Sequence, residues 1–207
     1  PFLLVAQGLF DAPALGDGAH QRAVVSLAFE FHVGRHHLGG PSVAVADAAQ
    51  RAGLFTGVGF NYRWAPLVQY TRQLIQEGKL GELTHYRGRF YSMYGSNPYG
   101  QLTWRFKFEQ AGYGVLGGIM TPVVDMAHFL AGPVGPPVSP RNTLIKDRPL
   151  PVPGRGTHFS VGEPDDPTGP VENEDYIGAL VEFANGAQGT LETSRTVFGP
   201  KCEMAFE

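Results

Sequence analysis

Two side chains able to move protons, Asp125 and His128, lie near the end of an apolar stretch that glycines open, GVLGGIMTPVVDMAHFLAG (residues 114–132). Their i, i+3 spacing predicts that both project from neighbouring parts of one helix, where an acid and a base could serve one substrate. The same spacing also suits a capping or salt-bridged pair, in which the C-terminal helix dipole favours a charged His128. The first turns instead hold Gly118 and Pro122, and neither can transfer a proton. The stretch therefore has the layout of an active-site helix without acid or base groups at its start.

Two arginine–tryptophan neighbours are the other candidates for ligand contact. Arg63 precedes Trp64, and Trp104 precedes Arg105 within a polar, glycine-rich stretch over residues 94–113. A guanidinium donates in a planar fork that suits carboxylate or phosphate, and an indole offers a flat face to a ring. Taken one at a time, each pair is more typical of surface packing than of a site. A loop as long as 94–113 is typical of functional or disordered segments.

Phosphate, metal and nucleophile motifs are incomplete. GDGAHQ (residues 16–21) has no third glycine and no strand or helix around it, so it does not predict a dinucleotide cradle. A histidine cluster in HVGRHH (32–37) lacks a cysteine or carboxylate to complete a zinc site, and glycines break the helix that would align it. Cys202 has no activating pattern and is predicted to be a small buried residue. These patterns favour loops and a structural cysteine.

The composition predicts a globular protein of one domain or slightly more. The 207 residues are 43% hydrophobic and 17% charged, and a net charge of −3 gives no electrostatic footprint for nucleic acid. No apolar run reaches the roughly 18 residues of a membrane span. The apolar start lacks the basic residue of a secretory signal, and a single cysteine fits a reducing compartment. We therefore expect a cytoplasmic protein that binds neither nucleic acid nor membrane.

Regular structure is predicted from about Val43 onward, because residues 1–42 show no clear periodicity beyond one possible strand at 22–31. The predicted elements are a helix over 43–53 ending at Gly53, a buried strand over 54–60, a helix over 65–78 with Leu67, Tyr70, Leu74 and Ile75 on one face, and a strand over 81–93.

The last part of the chain is predicted to be mostly β. RNTLIKDRP (141–149) is a candidate strand, residues 150–170 form a surface excursion, and CEMAFE is a further strand. Asn185-Gly186 lies between two strand-like runs and predicts a hairpin with a type I′ turn. Together these elements predict an α/β (α+β) fold with an open, largely antiparallel sheet.

A group of motifs carries a family resemblance. GFNYRW is followed by LIQEGKLGE, and further on come WRF, GYGVLGGIMTPVVDMAHFLAGP and EDYIGALVEFANGAQGTLETSR. In combination they resemble the Gfo/Idh/MocA family, the relatives of glucose–fructose oxidoreductase and inositol dehydrogenase, over residues of about 43–207. The resemblance implies a Rossmann domain that binds NAD or NADP, followed by a substrate domain with a large open sheet. It also implies hydride transfer to or from a sugar, inositol or related polyol, and a homo-oligomer formed through the sheet.

The family's proton-transfer positions are empty in this chain. Family members use a lysine in a Glu-Lys-Pro motif, and an aspartate and a histidine four residues apart in the glycine-opened helix. By resemblance these positions are Gly40, Gly118 and Pro122. Asp125 matches an aspartate that contacts substrate hydroxyls in some members, and only Asp125 and His128 remain as catalytic candidates. The candidate substrate-binding residues are Asn61, Tyr62, Arg63, Trp104, Arg105 and Asp125.

The resemblance also predicts a domain division. Residues 1–60 are interpreted as a degenerate or truncated remnant of the dinucleotide-binding domain, and residues 61–207 as the truncated substrate and oligomerisation domain. One hypothesis is an incomplete oxidoreductase chain, whose first 42 residues could reflect a frame error. A second is a non-catalytic sugar-binding or oligomerisation scaffold. A third is an active enzyme that uses Asp125 or His128, which the missing phosphate cradle disfavours.

Overall fold

The computed structural model describes residues 46–55, 57–152, 160–199 and 201–207. The helices are α1 (residues 46–51), α2 (Pro66–Gln76), α3 (Phe108–Ala111) and α4 (Thr121–Leu130). The strands are β1 (His85–Ser92), β2 (Arg141–Asn142), β3 (Asp147–Pro149), β4 (Thr168–Pro170), β5 (Tyr176–Glu182), β6 (Gln188–Ser194) and β7 (Cys202–Phe206). The candidate sites at 16–21 and 32–37, and Gly40, lie outside the described residues.

A five-stranded sheet with the order β2-β5-β6-β1-β7 forms the framework. β5 pairs antiparallel with β2 and β6, and β7 pairs antiparallel with β1. The central pair, β1 with β6, is parallel. β3 and β4 form a separate two-stranded sheet. The α/β fold with an open, largely antiparallel sheet is therefore confirmed.

The core lies between α4 and one face of this sheet. β1 and β5 alternate between buried and more exposed residues, as strands with one covered face do. Leu191 on β6 and Val115, just before α4, are fully buried. The stretch Phe108–Leu130, which includes α3 and α4, is long and apolar enough to cross a membrane, but 61% of its most apolar window is buried inside the protein. Its apolar character is thus accounted for by packing in the core.

The segment before β1 differs from its prediction in two respects. None of the described residues 54, 55 and 57–60 lies in a strand, and Phe55 is 99% exposed, because no described strand lies beside them to complete a ladder. The helix predicted over 65–78 is confirmed as α2, but Val68 is its buried residue, while Leu67 and Tyr70 are exposed. Ile75 of the predicted face packs against the core and Leu74 is half-buried, so the face predicted from the sequence is only partly the buried one.

The β5–β6 hairpin is confirmed, but its turn is not of type I′. Gly186 donates to the Phe183 carbonyl at 2.9 Å, and Phe183 donates to the Ala187 carbonyl at 2.9 Å. Three residues therefore separate the paired ends, with Gly186 at a φ of 86°. This is the three-residue loop in which a glycine takes the left-handed position. The Asn185 Oδ1 atom accepts from the Ala187 N–H at 3.1 Å and fixes the turn.

Two further predictions were wrong in detail. The strand predicted over 141–149 is two short strands in different sheets, because β2 pairs with β5 and β3 pairs with β4. Cys202 is exposed on β7 rather than buried. Its strand lies at the edge of the five-stranded sheet, where one side has no neighbouring strand to cover it.

Candidate functional site

The helix predicted to carry the site begins with a widened turn. Leu116–Met120 is π-helical and runs directly into α4. Pro122 has no N–H, and in a regular helix its ring would crowd the carbonyl of Gly118. A wider turn immediately before the proline relieves this crowding, and such turns often lie at functional sites.

Glu174 anchors the start of this helix. Its Oε1 atom accepts from the Leu116 N–H at 2.8 Å, and its carbonyl accepts from the Val115 N–H at 3.1 Å. The carboxylate thereby satisfies a helix N–H and complements the positive end of the helix dipole. Gly114 permits the close approach, since a Cβ at that position would lie 2.1 Å from the Glu174 carbonyl oxygen.

The helix presents a face with no titratable group. Gly117 and Gly118 are exposed, and Thr121 and Pro122 are half-buried. A Cβ added at Gly118 would meet no atom within 4 Å, so this position opens onto free space. Gly118 and Pro122 are thus accessible, but they offer a ligand only backbone and ring atoms.

Asp125 is committed to an ion pair with Arg63. The Arg63 Nε atom donates to Asp125 Oδ2 at 2.7 Å, and Arg63 Nη2 donates to Oδ1. The Asp125 side chain is 2% exposed and that of Arg63 is 27% exposed. Arg63 also lies over the ring of Phe129, 5.0 Å from its centroid. Both carboxylate oxygens therefore have a partner inside the protein.

Burial governs the electrostatics around this pair. Removal from water raises the pKa of Asp125 above its ordinary value, although the hydrogen bonds and charge of Arg63 act to lower it. Burial, together with the charge of Asp125, raises the pKa of the Tyr86 hydroxyl far above its ordinary range. Tyr86 is therefore neutral at physiological pH.

His128, the other catalytic candidate, faces the interior. Its side chain belongs to the buried part of α4 and is 4% exposed. Asp125 bonds through both oxygens to Arg63, which lies 62 residues away in the sequence. Neither candidate is open to a ligand in this arrangement.

The candidates at 61–64 lie on a short 3₁₀ helix, Asn61–Trp64. Asn61 is exposed, whereas Tyr62 packs its ring edge-on against Phe90 with centroids 5.7 Å apart. Burial and the neighbouring Cys202 thiol raise the pKa of Tyr62. Arg63 is thus the residue of this turn that joins it to α4.

Trp104 and Arg105 belong to a second, separate cluster. They form a 3₁₀ turn with Phe106, and Arg105 lies over the Trp104 ring at 4.4 Å. Trp104 is 49% exposed. The Arg105 carbonyl accepts from Asn173 Nδ2 at 3.0 Å and from Arg195 Nη1 at 3.2 Å. The six substrate-binding candidates therefore fall into two groups, one around Arg63–Asp125 and one around Trp104–Arg105.

Four buried charged residues were missed from the sequence: Glu174, which anchors the start of the 116–130 helix, and Arg148, Asp175 and Arg195, which surround the second cluster. All are buried, and Arg195 donates to Asp175 Oδ1 at 2.7 Å with both side chains fully enclosed. Asp175 Oδ2 also accepts the N–H groups of Leu144 and Ile145. An acidic pair directly before a strand, Glu174-Asp175, was the available signal, but nothing local marks the arginines as buried.

No metal site appears in the part of the chain that the structure describes, where no group of three or more His, Cys, Asp or Glu residues could hold an ion. A groove of about 590 Å³ runs along α2 beside Trp64, Arg72 and Phe129. Arg72 stacks on Phe129 at 3.9 Å. The groove does not include Gly118, Trp104 or Arg105, so it is distinct from the face of the helix described above.

Comparisons with known proteins identify the family to which this fold and its glycine-opened helix belong. The model of the GFO/IDH/MocA C-terminal domain matches residues 68–207. Levoglucosan dehydrogenase of Pseudarthrobacter phenanthrenivorans is 35% identical over 169 residues, which are 82% of this chain and 43% of that protein. The chain therefore belongs to the GFO/IDH/MocA family.

Solved structures agree with this assignment. Levoglucosan dehydrogenase in complex with NADH and L-sorbose is similar with a TM-score of 0.71 at 34% identity, over 82% of this chain and 42% of that one. An NAD binding oxidoreductase from Klebsiella pneumoniae has a TM-score of 0.70 at 30% identity, over 80% of this chain and 41% of that one. The chain thus spans less than half the length of these relatives.

Proposed function

We propose that this chain is the substrate-binding part of an NAD(P)-dependent oxidoreductase that acts on a sugar, inositol or related polyol, and that it lacks the groups for proton transfer. The observation that carries the proposal is the state of the helix 116–130. Its accessible face holds Gly118 and Pro122, while its two titratable residues, Asp125 and His128, are buried.

Oxidation of a polyol needs a base as well as a hydride acceptor. Oxidation of a carbinol carbon removes a hydride, which NAD or NADP accepts when bound, and a proton, which a base must take. Gly118 and Pro122 have no such base, and Asp125 is held by Arg63. The described residues also contain no glycine-rich phosphate cradle, so no hydride-transfer step is assigned to them.

Ligand contact is assigned to Trp104 and Arg105, with Asn61 and Tyr62 as further candidates. An exposed indole stacks on the apolar face of a sugar ring, and a guanidinium donates hydrogen bonds to hydroxyl groups. Trp104 is half exposed and Arg105 lies directly over it. Support for a sugar comes from the similar levoglucosan dehydrogenase, whose structures include complexes with L-sorbose and with levoglucosan.

A second candidate function is a scaffold that assembles through the sheet face opposite α4. Side chains on that face form hydrogen bonds with one another: Tyr91 donates to Glu192 at 2.6 Å, and Arg89 donates to Glu203 at 3.2 Å. Leu180 on the same side is 62% exposed. A Leu180→Asp change would place a charge in such an interface and convert an oligomer into monomers, which light scattering after gel filtration would detect.

Calorimetric titration tests the main proposal. The protein is titrated with levoglucosan, L-sorbose and myo-inositol, and separately with NADH and NADPH. The proposal expects saturable binding of at least one polyol and none of the dinucleotides. Trp104→Ala is expected to weaken polyol binding about 3- to 10-fold, the range for an aromatic contact. Trp64→Ala, an exposed tryptophan on another element, serves as the matched control and should leave affinity unchanged.

Three results would decide against the proposal. An equal loss of polyol affinity in the Trp104→Ala and Trp64→Ala variants would show that Trp104 is not the specific contact. Tight dinucleotide binding would instead favour an active enzyme with an unusual cofactor site, and a stable oligomer without polyol binding would favour the scaffold.

A further inference from the structure

Arg148 is a buried arginine without a carboxylate of its own. It lies on β3 and is fully enclosed. Its Nη1 atom donates to the Asn97 carbonyl at 2.8 Å, and Nη2 donates to the Gly95 carbonyl. Its Nε atom has no hydrogen-bond partner among the described residues. Both of its bonds therefore end on the backbone of one segment, residues 95–97.

A second buried arginine approaches the same place. Arg195 pairs with Asp175 and donates to the Arg105 carbonyl at 3.2 Å. The two guanidinium groups lie over the Phe106 ring, Arg148 at 4.2 Å and Arg195 at 4.4 Å from its centroid. Phe106 closes the turn that carries Trp104 and Arg105. The arginines thus fix both ends of the 95–106 segment.

Backbone contacts and glycines complete this attachment. The Leu102 N–H donates to the Pro149 carbonyl at 2.6 Å, next to Arg148. A Cβ at Gly95 would lie 3.0 Å from the Arg195 carbonyl oxygen, and one at Gly100 would lie 3.1 Å from Arg148 Nη1. Glycine at these positions lets the segment come close enough for the arginines to reach its carbonyls.

Stability alone does not account for this arrangement. A buried guanidinium loses its hydration, and two carbonyls, a ring and the nearby charge of Asp175 recover that loss incompletely, since burial still lowers the pKa of Arg148. An apolar side chain of similar volume in such a place is often neutral or stabilising. What Arg148 provides that an apolar residue cannot is a fixed conformation of residues 95–106.

We propose that Arg148 is a positioning residue, which holds the 95–106 segment so that Trp104 and Arg105 are presented to a ligand in one conformation. The ligand role of Trp104–Arg105 rests on the proposed function above. The positioning itself is a property of the protein without ligand and can be measured separately.

The test uses a Trp64→Phe background, in which Trp104 is the one tryptophan of the chain. Arg148→Met and Arg148→Lys are made in it. Fluorescence anisotropy reports the mobility of Trp104, hydrogen exchange reports residues 95–106 and α4 separately, and thermal unfolding reports stability. Polyol binding is measured in parallel by calorimetry.

In Arg148→Met we expect a melting temperature within about 4 °C of the parent. We expect exchange in 95–106 to be faster by about tenfold or more, with α4 unchanged. Trp104 anisotropy should fall, and polyol affinity, where the parent binds, should fall with it. Arg148→Lys retains the charge and a donor for one carbonyl, so it should recover part of the exchange protection and part of the Trp104 anisotropy.

The proposal is overturned by unchanged exchange and anisotropy, or by exchange that accelerates equally in α4, because Arg148 would then be a stability residue. Were Arg148→Met unable to fold, the pattern of exchange in Arg148→Lys would decide by the same criterion. A parent that binds no polyol would defeat the proposed function, while exchange would still decide the positioning claim.

Discussion

Replacing Arg63 by methionine tests the ion pair that joins the 61–64 turn to α4. The change removes two donors and leaves the Asp125 carboxylate, 2% exposed, without a counter-charge. Breaking a buried pair in this way costs about 3–5 kcal/mol. With about 2–4 °C per kcal/mol for a protein of this size, the melting temperature should fall by about 6–20 °C.

Replacing Asp125 should cost less stability than replacing Arg63. Asp125→Asn leaves a guanidinium that is 27% exposed and can regain water, so it should cost less, about 1–3 kcal/mol. The pH dependence has a defined direction as well. Burial raises the pKa of Asp125 above its value in the unfolded chain, and loss of Arg63 should raise that pKa further. The folded variant then binds more protons than the unfolded one, so its stability falls as pH rises through the folded pKa.

Urea unfolding at pH 5 and pH 7 measures both effects. The cost of Arg63→Met should be smaller at the lower pH, because a protonated Asp125 tolerates burial better. Arg87→Met is the control, since Arg87 is an exposed arginine on β1 whose ion pair with Glu207 is also exposed; its cost should stay within about 0.5 kcal/mol. A cost for Arg63→Met below about 1 kcal/mol, or one equal at both pH values, would refute the assignment of a desolvated carboxylate at Asp125.

Four further substitutions, one of them a control, test the packing of the fold by urea unfolding. Gly114→Ala should destabilise the protein by about 3 kcal/mol, because the added Cβ would overlap the Glu174 carbonyl oxygen. Its control is Gly118→Ala, in open space nearby, which should be neutral or stabilise by up to about 1 kcal/mol. Equal effects of the two changes would contradict the close approach at Gly114. Gly186→Ala should cost about 1–2 kcal/mol because Gly186 has a φ of 86°, and no cost would mean that the turn relaxes. Leu191→Ala should cost about 2–5 kcal/mol, since Leu191 is fully buried on β6, and a loss below that range would place it outside the core.

Local signals in the sequence were sufficient for the main elements. Apolar periodicity predicted α2, and alternation predicted β1 and β5, because each of these strands buries one face. The glycine-opened apolar stretch predicted α4, which is buried on nearly all sides. Asn185-Gly186 predicted the hairpin but not its turn type, since the register depends on which flanking residues pair across the sheet. Residues 54–60 have strand composition, yet the described ones, 54, 55 and 57–60, form no strand because no described neighbour pairs with them.

The site was only partly predictable for a similar reason. The sequence identified Arg63 and Asp125 separately, but their bond spans 62 residues and follows from the packing of the 61–64 turn on α4. Arg148 and Arg195 look like surface arginines in the sequence, and their burial depends on Asp175, Phe106 and the 95–106 backbone meeting in space. By contrast, Gly118 and Pro122 were predicted to lack chemistry from their identity alone, and their accessible position agrees with the helix layout inferred from the sequence.

The most direct test of the central claim is NADH formation by the purified chain with NAD and saturating levoglucosan, repeated with NADP and with myo-inositol. We expect no turnover above the rate without protein, together with measurable polyol binding by calorimetry. Steady NADH or NADPH production that scales with protein concentration would contradict this expectation. Such a result would show that groups other than residues 118 and 122 move the proton.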